Sequence, residues 1–172
     1  MLDDPVAGVV TNFPVLRDRR RLISDLACAV QPDNGRSVLV LFGFEGLREH
    51  LEDIAFSDGE KLLEQIAAAL TRTLAGTAQL YASRRGEFCG LYEGGISVVR
   101  SLLVTVPVEL DTDLRSLSIH TSLGIAVLPD EATDPFYALS LADRRLRALS
   151  GNVRPTGTSE WSRQRYLPAE SL

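Results

Sequence analysis

Val38-Leu39-Val40-Leu41-Phe42 is an unbroken apolar run, too short for most helices and without a polar position to turn toward water. It reads as a strand buried on both faces, so the rest of the chain has to cover two sides of it. The flanks supply that cover. Before the run, Leu16, Ile23, Leu26, Ala27 and Val30 recur at helical spacing, with Thr11 or Asn12 as the cap and Pro14 in the first turn. Gln31-Pro32-Asp33-Asn34-Gly35 closes that helix with breakers. After the run, Leu63, Ile66, Ala67, Leu70 and Leu74 form a second apolar stripe. Ser57 and Glu60 stand at capping-box spacing at its start, and Gly76 ends it.

Leu80 to Tyr92 then reads as a β-hairpin, two apolar runs joined by a polar turn from Ser83 to Glu87 with Gly86 inside it. Val98 to Val106 fits either a helix or a strand, the helix being the reading preferred, and Pro107 stops either one. From Leu117 to Val127 the alternation is strict and predicts one long strand. Leu117, Ile119, Thr121, Leu123, Ile125 and Val127 share one face; Ser118, His120, Ser122, Gly124 and Ala126 share the other. The small residues predict a helix packed close against that second face. His120 reads as a strand residue rather than a ligand, since the only other histidine is His50. Asp134-Pro135 is a cap followed by a first-turn proline, Leu139, Ala142, Leu146 and Leu149 form the stripe behind it, and Gly151 ends that helix. Strands interleaved with helices, and a hairpin among them, predict an α+β fold: helices packed on a mostly antiparallel central sheet.

Composition excludes several functions. The 172 residues carry a net charge of −5 with no dominant basic stripe, which excludes a general nucleic-acid binder. Arg17 to Arg21, interrupted by Asp18, reads as the solvated face of a helix. Cys28 and Cys89 make neither a zinc site nor a disulfide framework and suit a reducing cytoplasm. No signal peptide is visible, and no apolar run approaches the ~18 residues that span a bilayer, so a cytoplasmic chain without direct membrane insertion is expected.

Set in order, a series of short motifs resembles the GGDEF domain, the bacterial module that joins two GTP molecules into cyclic di-GMP. Asp4-Pro5-Val6-Ala7-Gly8-Val9 resembles its opening D-x-L-T-G-L, and Phe42-Gly43-Phe44-Glu45-Gly46-Leu47-Arg48 its F-D-x-D-x-F-K. Gly59-Glu60-Lys61-Leu62-Leu63 stands at G-D-x-L-L, and Arg84-Arg85-Gly86-Glu87-Phe88 at the signature hairpin. Ser122-Leu123-Gly124-Ile125-Ala126 resembles S-I-G-V-A, and Ala142-Asp143-Arg144-Arg145-Leu146 resembles A-D-x-A-L. The resemblance covers residues 4 to 154. It implies the ferredoxin-like palm of nucleotidyl cyclases over residues 1–154; by their own composition residues 1–12 read as a lead-in and 155–172 as a polar tail, with Trp161 and Tyr166 expected to dock it on the core.

Joining two nucleotides builds charge on phosphate oxygens, so such sites use divalent metals held by carboxylates. The resemblance places those carboxylates at Gly43 and Gly86, which have no side chains. Losing both anionic ligands lowers metal affinity and rate by orders of magnitude. The family's guanine-reading asparagine falls on Leu51 and its guanine-reading aspartate on Glu60. Arg84 and Arg85 replace two glycines that let backbone approach phosphate. Among phosphate-side cations Arg48 and Arg154 are kept, while a helix lysine becomes Ser150. The product-inhibition motif R-x-x-D is absent from Ala75-Gly76-Thr77-Ala78.

The expectation is therefore a degenerate GGDEF domain, catalytically inactive, with no metal or cofactor. It acts as a regulatory or interaction module through a signalling partner or self-association. Two alternatives stand beside it. An active diguanylate cyclase with Mg²⁺ would use Glu45 and Glu87 as improvised ligands; a GTP-binding switch without catalysis would use Arg48, Glu60, Arg84, Arg85 and Arg154.

Overall fold

The computed structural model describes residues 16–74, 76, 78–82, 87–97, 108–112, 115–119 and 121–149. Several expectations lie outside them: the lead-in with its caps at Thr11 and Asn12, Arg84, Arg85, Gly86, the Val98–Val106 segment, His120, Ser150, Arg154 and the 155–172 tail.

The apolar run becomes β1 (Ser37–Phe44), and residues 37 to 42 are all buried. β1 is central in a four-stranded antiparallel sheet with β2 (Ala78–Ala82), β3 (Phe88–Glu93) and β6 (Thr121–Leu128), in the order β2-β3-β1-β6. Side chains alternate across such a strand, and each face of β1 meets its own core. Val38, Val40 and Phe42 pack with Leu63, Ile66, Leu70 and Leu74 of α3 (Phe56–Leu74) and with Leu47 and Leu51 of α2 (Leu47–Asp53). Leu39 and Leu41 pack with Leu22 and Leu26 of α1 (Arg19–Ala29) and with Ala138, Leu139 and Ala142 of α4 (Pro135–Leu149).

α4 begins as its sequence predicts, Tyr137 N–H donating to the Asp134 carboxylate at 2.8 Å. Its contact with β6 also follows the small-residue pattern. A Cβ added at Gly124 would run into the Ala142 carbonyl oxygen, so helix and strand meet backbone to backbone there.

Three expectations are corrected. The long strand is two: β5 (Arg115–Ile119) pairs with β4 (Val108–Thr112) in a separate two-stranded sheet, and only β6 joins the main one. An alternating pattern specifies two faces but not which neighbour a strand pairs with. α1 starts at Arg19, capped by the Asp18 side chain on Arg21 N–H (2.8 Å), so Leu16 stands before the helix rather than in it. α3 starts at Phe56, where the Ala55 carbonyl accepts from Gly59 N–H at 3.0 Å; Ser57 is thus inside the first turn rather than at the cap position.

Candidate functional site

The register of the sheet gathers the positions singled out in the sequence at one end of it. Phe42 faces Phe88 on one side and Leu123 on the other, and Gly43 faces Ser122. β2 leaves this end at Ala82, and β3 re-enters at Phe88. An edge-to-face contact between Phe44 and Phe88, centroids 5.9 Å apart, ties the last turn of β1 to the base of the hairpin.

Gly43 is more than a position lacking a side chain. A Cβ built on it would stand 2.7 Å from Ser122 Oγ and 2.8 Å from Leu146 Cδ1. Leu146 comes from α4, whose close seating on Gly124 brings this side chain down over the end of β1. The space where the resemblance places a carboxylate is filled by a hydroxyl and an isobutyl group.

The improvised ligands are placed unequally. Glu87 immediately precedes β3, half-buried, with Oε2 withdrawn from solvent. Glu45 is exposed in the turn after β1, followed by Gly46 at φ +76°. The strand that would carry Glu45 onto the face of Gly43 ends at Phe44, and its period-two alternation ends with it. Arg48 is exposed on the first turn of α2. Leu51, at the guanine-reading position, is buried in the α2–α3 core, and Glu60 is half-buried on α3. Among the described residues, no three of His, Cys, Asp and Glu group as a metal site.

Beside this end lies a polar cluster that sequence reading missed. Tyr81, wholly buried on β2, donates its hydroxyl to Asp25 Oδ2 on α1 at 2.8 Å. Arg17 Nη1 reaches the same oxygen at 3.2 Å, and Arg21 Nε lies 3.1 Å from Oδ1. Burial, and then the Asp25 carboxylate, push the Tyr81 hydroxyl well above its usual range, so it remains a donor. The Arg17 backbone also bridges β2: its N–H donates to the Leu80 carbonyl at 3.0 Å, and its own carbonyl accepts from Ala82 N–H at 2.9 Å. Arg17 to Arg21 is therefore not simply a solvated face. Arg17 and Arg19 are half-buried, because the chain enters the fold along the edge of β2. Only the Arg21–Asp25 spacing of four residues was a visible signal.

Cys89 is fully buried next to this cluster. Burial first, then the charge of Glu87, drive its thiol upward against the opposing charge of Arg19, so it stays protonated and inert as a nucleophile.

No protein-family model matches the chain, and no curated protein matches it in sequence. Solved structures do. The GGDEF domain of FimX from Pseudomonas aeruginosa superimposes with a TM-score of 0.67 at 22% identity, over 85% of this chain and 91% of that one. The GGDEF domain of DgcB from Caulobacter crescentus, solved in complex with c-di-GMP, gives 0.67 at 21% identity over 90% and 96%. Diguanylate cyclase SiaD from Pseudomonas aeruginosa, solved with its activator SiaC, gives 0.61 at 21% identity over 79% of this chain and 56% of that one.

The chain has the GGDEF-domain fold. The α+β architecture expected from its sequence is thus the cyclase palm. A divalent metal, which the resemblance implies at Gly43, does not fit the residues present. Gly43 offers no donor, and Ser122 and Leu146 take up the space a donor side chain would need.

Proposed function

We propose that this GGDEF-fold chain synthesises no cyclic di-GMP and works as a cytoplasmic regulatory or protein-interaction module in cyclic di-GMP signalling. The observation that carries the reading is Gly43, bare of a carboxylate and covered by Leu146 and Ser122. Glycine at position 86 and the burial of Leu51 at the guanine-reading position agree with it. Attack of a ribose 3′-oxygen on an α-phosphorus needs the developing charge neutralised, and a site without either anionic ligand supplies no seat for the metal that does this. A protein partner suits the role, since diguanylate cyclase SiaD, similar in fold over part of its chain, is solved in complex with its activator SiaC. The competing active cyclase, using Glu45 and Glu87, loses the shared strand face it requires once β1 ends at Phe44.

Incubation with GTP and Mg²⁺ or Mn²⁺, followed by chromatography of the products, tests the proposal. No cyclic di-GMP is expected. Metal-dependent product that disappears in Glu87→Gln would establish the improvised site instead.

A further inference from the structure

The carboxylates on the two sides of the sheet are met differently. On the α1–α4 side Asp25 is held by Arg17 and Arg21, Glu131 by Arg145, and Asp143 by Arg147. On the α2–α3 side, residues 45–64 carry seven carboxylates against Arg48 and Lys61, a net charge of −5 that equals the charge of the whole chain. Lys61 pairs with Asp58 at 3.6 Å. Glu45, Glu49, Glu52, Asp53 and Glu64 are exposed and meet no cation among the described residues. Leu47 and Leu51 turn into the core, which leaves Glu49, Glu52 and Asp53 on the outer surface of α2. Phe56 follows at the first turn of α3, 70% exposed, the most exposed large hydrophobe among the described residues. A ring set among uncompensated carboxylates matches an occupant that offers aromatic and cationic groups together.

We propose that this occupant is the chain's own tail. Trp161-Ser162-Arg163-Gln164-Arg165-Tyr166-Leu167-Pro168 holds two arginines between two aromatics and no acid. It docks on the outer surface of α2 and the start of α3, its aromatics on Phe56 and its arginines on Glu49, Glu52 and Asp53. The tail also starts from the right end of the sheet. α4 ends at Leu149, three residues past Leu146, whose side chain lies over Gly43, and α2 starts four residues after Gly43. Passing around that end from one helix layer to the other takes about 20 Å, two helix diameters. The twelve residues from 150 to 161 span up to ~40 Å when extended. A short tether gives the segment a high effective concentration at the acidic surface, so a contact of modest strength stays formed. The docked tail withholds that surface from other basic partners. The inference is independent of whether the domain turns over GTP.

Trp161 is the single tryptophan of the chain, so its fluorescence reads the docking directly. Emission maximum and acrylamide quenching are measured on the full chain, native and with Phe56→Ala, Glu49→Lys/Glu52→Lys or Arg163→Glu/Arg165→Glu. Phe56, Glu49 and Glu52 are exposed, so the variants are expected to keep the fold, which far-UV circular dichroism checks. In the native chain Trp161 is expected to be blue-shifted and shielded, equally at low and high protein concentration. Each variant is expected to move the emission toward that of tryptophan in water and to raise quenching severalfold. Joining the two charge reversals in one chain is expected to bring the shielding back. A native Trp161 as accessible as a free tryptophan amide overturns the proposal, as does shielding that survives Phe56→Ala and both reversals. Shielding that grows with protein concentration overturns it too, because the occupant is then a second copy.

Discussion

The two faces of the sheet are packed by different means. Under α2 and α3 the contact is made by large apolar side chains, among them Val40, Phe42, Ile66, Leu70 and Leu74, and is set by volume. Under α1 and α4 leucines such as Leu22, Leu26, Leu39, Leu41 and Leu139 are joined by a strip of small residues, Gly124, Ala126, Ala138 and Ala142, where α4 meets β6, with side-chain hydrogen bonds at the margins, Tyr81 to Asp25 and Arg145 to Glu131. A volume-set face tolerates exchange among hydrophobes of like size; a face set by close backbone approach does not. Gly43 lies on the second face, where α4 sits so close to β6 that Leu146 covers it.

Gly124→Ala should give the largest effect. The added methyl meets helix backbone, which cannot swing aside as a side-chain tip can, so the cost is expected at about 3 kcal/mol or more by urea denaturation. Tyr81→Phe comes next. It removes a hydrogen bond to a carboxylate that keeps two arginine partners, and a loss of about 1.5 kcal/mol is expected in the same assay. Leu70→Met, at a fully buried site on the volume-set face, should cost less than about 1.5 kcal/mol. If Leu70→Met costs as much as Gly124→Ala, the contrast between the faces is wrong.

The smallest effect is a pH dependence. Hydrogen bonding from Arg145 is the largest influence and lowers the Glu131 carboxyl below its ordinary 4.5; burial, next in size, opposes it, and the Val127 N–H and the Arg145 charge add to the lowering. A lowered folded value means that the stabilisation is complete above the ordinary carboxylate value and is lost as pH falls through the folded one. The pair is partly exposed, so less than about 1 kcal/mol is at stake. Thermal melts taken from neutral pH downward should show this decline in the native chain, and a smaller one in Arg145→Ala.

Much of this was legible in the residues. The uncharged run Val38–Phe42 required two covering layers and has them, and the small face of Ser122, Gly124 and Ala126 announced the close helix. Asp134-Pro135 placed the start of α4 correctly. What the pattern could not carry was pairing over long separations. Alternation continues from Leu117 to Val127 although the chain changes sheets between β5 and β6, because period two is the same whichever strand lies alongside. Ser57 and Glu60 matched a cap by spacing, yet the helix begins at Phe56 because Ala55 already receives its first bond. At the site, the glycine at 43 was readable, but Leu146 lies over it from a helix a hundred residues away in sequence.

The central claim is that the end of β1 no longer seats a metal ion, and calorimetric titration of the chain with GTP, with Mg²⁺ and with a chelator, tests it most directly. The heat and affinity are expected to be the same in both conditions, whether the nucleotide binds weakly or not at all. Binding that tightens with Mg²⁺, collapses in chelator and weakens in Glu87→Gln would contradict it.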